Sequence, residues 1–165
     1  MNVRRRDALL ALAALALAPG GTLRADGVDP ARRAARRAAL DLSRHAGKVV
    51  YVDFWASWCI PCLAAFPWMN ALQEELGEEG LVFVGVNTSD VPEAAARFLE
   101  QVPAAFEIVM DEDGSIARAY GVGENLPVAY IYGRDGALVA RHEGFNERAA
   151  PHYAEELRAF VRSGR

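Results

Sequence analysis

Cys59 and Cys62 are the only two cysteines in the 165 residues, and they stand three apart in Trp58-Cys59-Ile60-Pro61-Cys62. Thiols at this spacing can close a disulfide within one turn of chain, and opening and closing that bond is two-electron exchange chemistry. The exchange needs asymmetry, with an outer thiol that ionises and meets a partner and an inner thiol that waits behind it. A helix beginning at the pair supplies the asymmetry, because its unsatisfied amides and its dipole favour a thiolate at the first position. Pro61 suits the first turn of such a helix, where a missing N–H costs nothing. Cys59 is therefore the expected nucleophile, reachable from solvent, and Cys62 the resolving thiol. Two buried structural thiols, a purely structural disulfide, and a zinc or copper site are the competing readings. The metal reading lacks ligands, since His45, His142 and His152 share no metal-binding spacing with the pair. No cofactor beyond the redox-active disulfide Cys59–Cys62 is expected.

That arrangement needs a strand leading in and a helix leading out. Residues 48–55 are a continuous β-prone run, as in a strand covered on both faces. A helix is predicted from Cys59 to about Leu76, closed by Gly77, and a second buried strand from Leu81 to Val86. A helix over Pro92–Gln101, a short strand over Phe106–Met110, a turn at Asp113-Gly114 and a short helix to Tyr120 follow. Val128–Tyr132 and Ala137–His142 flank Gly133-Arg134-Asp135-Gly136, a hairpin signal. Asn146 is the expected N-cap of a last helix, 147–162. Upstream, Asp29-Pro30 starts a helix that is predicted to run to His45, its Arg32, Arg33, Arg36 and Arg37 read as a solvated face. The fold class is α/β, a central mixed sheet with a parallel βαβ unit and a C-terminal β-hairpin, flanked by helices.

Composition bounds the partners. The chain is 52% hydrophobic with net charge −4, enough to bury one domain's core and wrongly signed for nucleic acid. Residues 1–25 read as a signal peptide, with Arg4, Arg5 and Arg6 ahead of an eleven-residue Ala/Leu run that Pro19 and Gly20 break. That run is too short to span a bilayer. Arg5-Arg6 loosely resembles a twin-arginine signal, and the secretory route stays open. Cleavage leaves 26–165 as the domain, with 14 basic and 21 acidic residues. The expected location is the periplasm, where a disulfide persists.

The string Val52-Asp53-Phe54-Trp55-Ala56-Ser57-Trp58-Cys59-Ile60-Pro61-Cys62 resembles the active-site segment of the thioredoxin superfamily, most closely exported TlpA/ResA-like thiol-disulfide oxidoreductases. The pattern extends through Phe66-Pro67, Gly85-Val86-Asn87, Leu126-Pro127 and the hairpin, over residues 40–162. The resemblance implies a thioredoxin-like fold and dithiol/disulfide exchange with protein substrates. It implies that Leu126-Pro127 is the cis-proline loop that offers backbone to substrate, with Trp58, Ile60 and Pro61 on the binding rim. Asp53, six residues before Cys59, matches the buried acid that takes a proton from Cys62, and Asp90 is a second candidate base after the second strand. The implied role is a reductant acting as a monomer on oxidised protein thiols, those of apocytochrome c among them, fed by a membrane thiol-reductase. A disulfide oxidant or isomerase, and a redox-incidental binding module using the same groove, are the alternatives. Ile60, Leu63 and Val128 depart from the family pattern, standing where Gly, a basic residue and Thr are usual.

Overall fold

The computed structural model describes residues 29–88 and 91–164. The signal-peptide reading and Asp90 lie outside the described residues. Five strands form one sheet in the order β3-β2-β1-β4-β5. They are β1 (Val49–Trp55), β2 (Leu81–Thr88), β3 (Glu107–Asp111), β4 (Val128–Tyr132) and β5 (Leu138–Glu143). β1 pairs parallel with β2, and β2 with β3, while β4 runs antiparallel to both β1 and β5. This is the mixed α/β sheet that the sequence implies.

β1 is central and all seven of its residues are buried. The pleat sends alternate side chains to two cores. Tyr51 and Trp55 face the core under α2 (Ile60–Leu76), α3 (Pro92–Gln101) and α5 (Ala150–Ser163). Val50, Val52 and Phe54 face a second core covered by α4 (Ser115–Tyr120) and Leu40. Above that second core lies α1 (Pro30–Ala39), capped by Asp29, whose carboxylate accepts the Ala31 N–H at 3.0 Å.

Several boundaries differ from the sequence reading. α1 stops at Ala39 because Leu40 turns extended (φ −133°, ψ 110°) to bury its side chain. A 3-10 turn, Ser43–His45, then stands where helix was expected, with Asp41 accepting the Ser43 N–H at 2.9 Å. α2 does end at Leu76 with Gly77 as its C-cap, as expected, and the reversal into β2 falls at Gly80, whose φ of 104° favours glycine. Asn146 caps the turn before α5, accepting from Arg148 and Ala149 N–H, so the helix begins at Ala150. β2 runs two residues beyond Val86, where Asn87 and Thr88 find Met110 and Asp111 of β3 as partners.

Candidate active site

The pair sits at the junction between β1 and α2. Cys59 is the N-cap of α2, in extended backbone (φ −83°, ψ 100°), with Pro61 in the first turn. Its Sγ accepts the backbone N–H of Cys62 at 3.3 Å, the contact that an N-cap oxygen makes in an ordinary helix. The two sulfurs are joined in a disulfide. An N–H donated to Sγ, at the positive end of a 17-residue helix, favours negative charge on that sulfur after reduction. Cys59 is only 3% exposed and Cys62 fully buried. The sequence reading had Cys59 open to solvent. In the oxidised chain its sulfur is instead bonded to the buried Cys62. The rim stays apolar and open, with Trp58 55% and Ile60 77% exposed.

The Leu126–Pro127 bond is cis, and Pro127 lines a small cavity together with Asp53, Ala65 of α2 and His142. Trp55 is a core residue. Its ring lies 5.1 Å from that of Phe66 and 4.7 Å from that of Phe98, holding α2 and α3 on the sheet beneath the pair.

Asp53 is 2% exposed, and its neighbours across the sheet are Gly85 and Ala129, which bring no side-chain donor. Gly85 has little room for more, since a Cβ there would lie 3.0 Å from the Ile108 side chain and 3.2 Å from the Trp55 ring nitrogen. One carboxylate oxygen of Asp53, Oδ2, is buried without a partner. Burial pushes its pKa well above the ordinary 3.8, because nothing nearby repays the lost hydration of the charged form. Burial likewise pushes the neighbouring Tyr51 hydroxyl up, with the Asp53 charge adding to the shift. The geometry thus gathers Cys59, Cys62, Asp53, Pro127 and the rim residues Trp58 and Ile60 at one end of the sheet.

One residue escaped the sequence reading, which weighed His142 only as a metal ligand. Ala129 of β4 pairs with both Asp53 of β1 and His142 of β5, so the register sets the two on one face of the sheet, with β4 between them. His142 stacks on Tyr153 (ring centres 3.8 Å apart), and its Nε2 lies 2.6 Å from Glu156 Oε2, while Nδ1 is buried without a partner. No local spacing links His142 to the cysteines, so only the sheet register could have revealed it.

Comparison with known proteins places this geometry. The family model described as Redoxin matches residues 29–157. The chain belongs to the Redoxin family. The thiol-disulfide oxidoreductase ResA of Bacillus thuringiensis is 30% identical over 105 residues, 64% of this chain and 60% of that protein. ResA of Geobacillus thermodenitrificans is 33% identical over 97 residues, 59% of this chain and 55% of its own length. The chain therefore spans about three-fifths of the curated relatives it matches. A solved structure from Chlorobium tepidum, assigned as a thiol:disulfide interchange protein DsbE, shares 38% identity at a TM-score of 0.70. That alignment covers 73% of this chain and 84% of the other.

Proposed function

We propose that this Redoxin-family chain is a thiol-disulfide oxidoreductase that exchanges the Cys59–Cys62 pair with protein substrates. The carrying observation is the N-cap position of Cys59, with its sulfur accepting an amide N–H and bonded to a buried Cys62. In the reducing direction, the Cys59 thiolate attacks a substrate disulfide, forms a mixed disulfide and expels one substrate thiolate. Asp53 takes the Cys62 proton. The Cys62 thiolate then attacks Cys59 Sγ, closes the internal disulfide and expels the second substrate thiolate, so that two electrons have passed to substrate. A carboxyl group whose affinity for a proton is raised by burial is better matched to this task than an ordinary carboxylate, which holds a proton too weakly to take one from a thiol. Leu126 and cis-Pro127 would hold the substrate as an extended segment beside the sulfurs, with Trp58, Ile60 and Pro61 forming the apolar rim. The cysteine pair serves as the redox group, with no other cofactor.

The finer reading extends the same proposal. The chain is exported by its residues 1–25, and 26–165 work in the periplasm as a monomeric reductant. Oxidised protein thiols, apocytochrome c among them, are the substrates, and a membrane thiol-reductase returns the electrons. The names of the ResA and DsbE relatives support the reaction class, and among the described residues no helix is long and apolar enough to cross a membrane. Insulin reduction coupled to a dithiol donor tests the reaction, with Cys59→Ser as control. Turnover by the wild type and none by the variant is expected, and equal rates in the two would overturn the proposal. A potential near about −270 mV supports the reductant, and one near about −120 mV the oxidant.

A further inference from the structure

Helix α1 has four arginines, no acid and no buried residue among its ten. A helix this short is marginal in water, and like charges three and four apart weaken it further. Its +4 stands out in a chain whose net charge is −4. Apolar burial holds it only at its end, where Ala39 packs against the second core. Arg36 adds a second anchor: its guanidinium lies 4.6 Å from the centre of the Tyr130 ring and 5.4 Å from that of Tyr120. Nη2 reaches the Tyr120 carbonyl at 3.5 Å, and Nε is buried with no partner. The solvated face expected from sequence is thus turned partly inward.

It turns toward a cavity of about 320 Å³ between α1, the Leu40–Lys48 segment and the β4–β5 hairpin. The volume falls at the small end of small-molecule sites. Leu40, Val50 and Leu138 give it apolar walls. Five fixed cations line it, Arg33, Arg36, Arg37, Lys48 and Arg134, against two acids. Both acids are engaged by backbone, Asp41 by the Ser43 N–H and Asp135 by the Ala137 N–H, each at 2.9 Å. Arg134 spends its donors on the carbonyls of Gly47, Glu79 and Val161, which leave its charge uncancelled. Among the described residues no carboxylate forms an ion pair with Arg36, Arg37 or Lys48.

We propose that this cavity binds a small amphipathic anion, its oxyanion head held by Arg36 and Arg37 and its apolar body against Leu40, Val50 and Leu138. Guanidinium groups pair with carboxylate or phosphate oxygens through parallel hydrogen bonds, and the aromatic floor beneath Arg36 fixes the direction of its fork. The site is separate from the sulfur chemistry, because Val50 is near the start of β1 and faces the core opposite to the one that holds the cysteines.

Titration calorimetry and amide chemical-shift mapping on the oxidised chain test this, with octanoate as probe. Inorganic phosphate supplies the head alone, octyltrimethylammonium the same tail with opposite charge, and phosphatidylglycerol vesicles a lipid surface. Octanoate is expected to bind at least about tenfold more tightly than either small control and to shift the amides of Leu40, Val50 and Leu138. Arg37→Gln is expected to weaken it by about tenfold, the worth of one charge-assisted hydrogen bond, with insulin reduction unchanged. Arg36→Gln should weaken it more. If that variant fails to fold, the exposed Arg37, which makes no ring contact, still decides. Equal binding of octyltrimethylammonium or of phosphate, indifference to Arg37→Gln, or association with vesicles but not with octanoate overturns the proposal.

Discussion

Asp53 shows what a single buried charge does when its neighbours are small. With Gly85 and Ala129 on either side and Oδ2 unpartnered, the folded chain holds the carboxyl group protonated at pH values where the unfolded chain has already released the proton. Above the ordinary 3.8, the native state therefore binds more protons than the unfolded state, and stability falls as pH rises. The expected contribution is a loss of about 1.4 kcal/mol per pH unit until the folded-state pKa is reached. Asp53→Asn removes that slope. Urea unfolding of the oxidised protein at pH 5 and pH 7 checks it, and a variant whose midpoint difference matches that of the wild type would refute the assignment. The same substitution is expected to slow the resolving step, so that the mixed disulfide on Cys59 accumulates during insulin reduction. Quenching with acid and counting trapped adducts by mass measures that accumulation.

The sulfurs depend on how α2 is seated. Phe66 is fully buried and its ring meets those of Trp55, Phe98 and Phe106 at 5.0–5.2 Å, which locks the second turn of the helix over the sheet. Phe66→Ala is expected to cost about 3–5 kcal/mol by urea unfolding. Further along, Gln73 accepts the Phe83 N–H at 3.0 Å and donates to the Leu81 carbonyl at 3.2 Å. These β2 groups precede Val84, the first β2 residue paired with β3, so the side chain completes a ladder the sheet leaves open. Such pieces differ in how visible they are in sequence. The start of α1 at Asp29-Pro30, the buried run of β1, the hairpin and the cysteine pair are all readable, because each is decided by residues within a few positions of one another. The early end of α1 is not, because it is set by the burial of Leu40 against a core built from distant strands. The length of β2 escapes for a similar reason, since Asn87 and Thr88 are held by pairing with distant residues, both with β3 and Asn87 also with Trp55 of β1. His142 reaches the Asp53 cavity through two strand pairings, and α1 turns inward through rings contributed by α4 and β4.

Across the described surface the large exposed hydrophobic residues are few, namely Trp58, Ile60, Leu63 and Val91. Three of them crowd within six positions around the cysteines, so the apolar surface is concentrated where the sulfurs are approached. The sheet edges offer less to a partner: β5 carries an Arg141–Glu143 ion pair, and β3 has Glu107 paired with Arg44 and His45. Charged, short edges of this kind discourage strand addition. If the proposed exchange holds, a protein substrate would gain its binding energy at the rim, because Cys59 is only 3% exposed and a bulky partner would meet Trp58 and Ile60 on its way to the sulfur. A small disulfide needs no such contact. Trp58→Ala combined with Ile60→Asp is expected to lower kcat/KM for insulin by about tenfold or more, the loss typical of a truncated aromatic anchor. Reaction of the reduced protein with a small aromatic disulfide should change by less than about twofold. Parallel steady-state assays on the two substrates make the comparison. Equal losses on both would mean that the rim acts by shaping the thiolate rather than by holding the substrate.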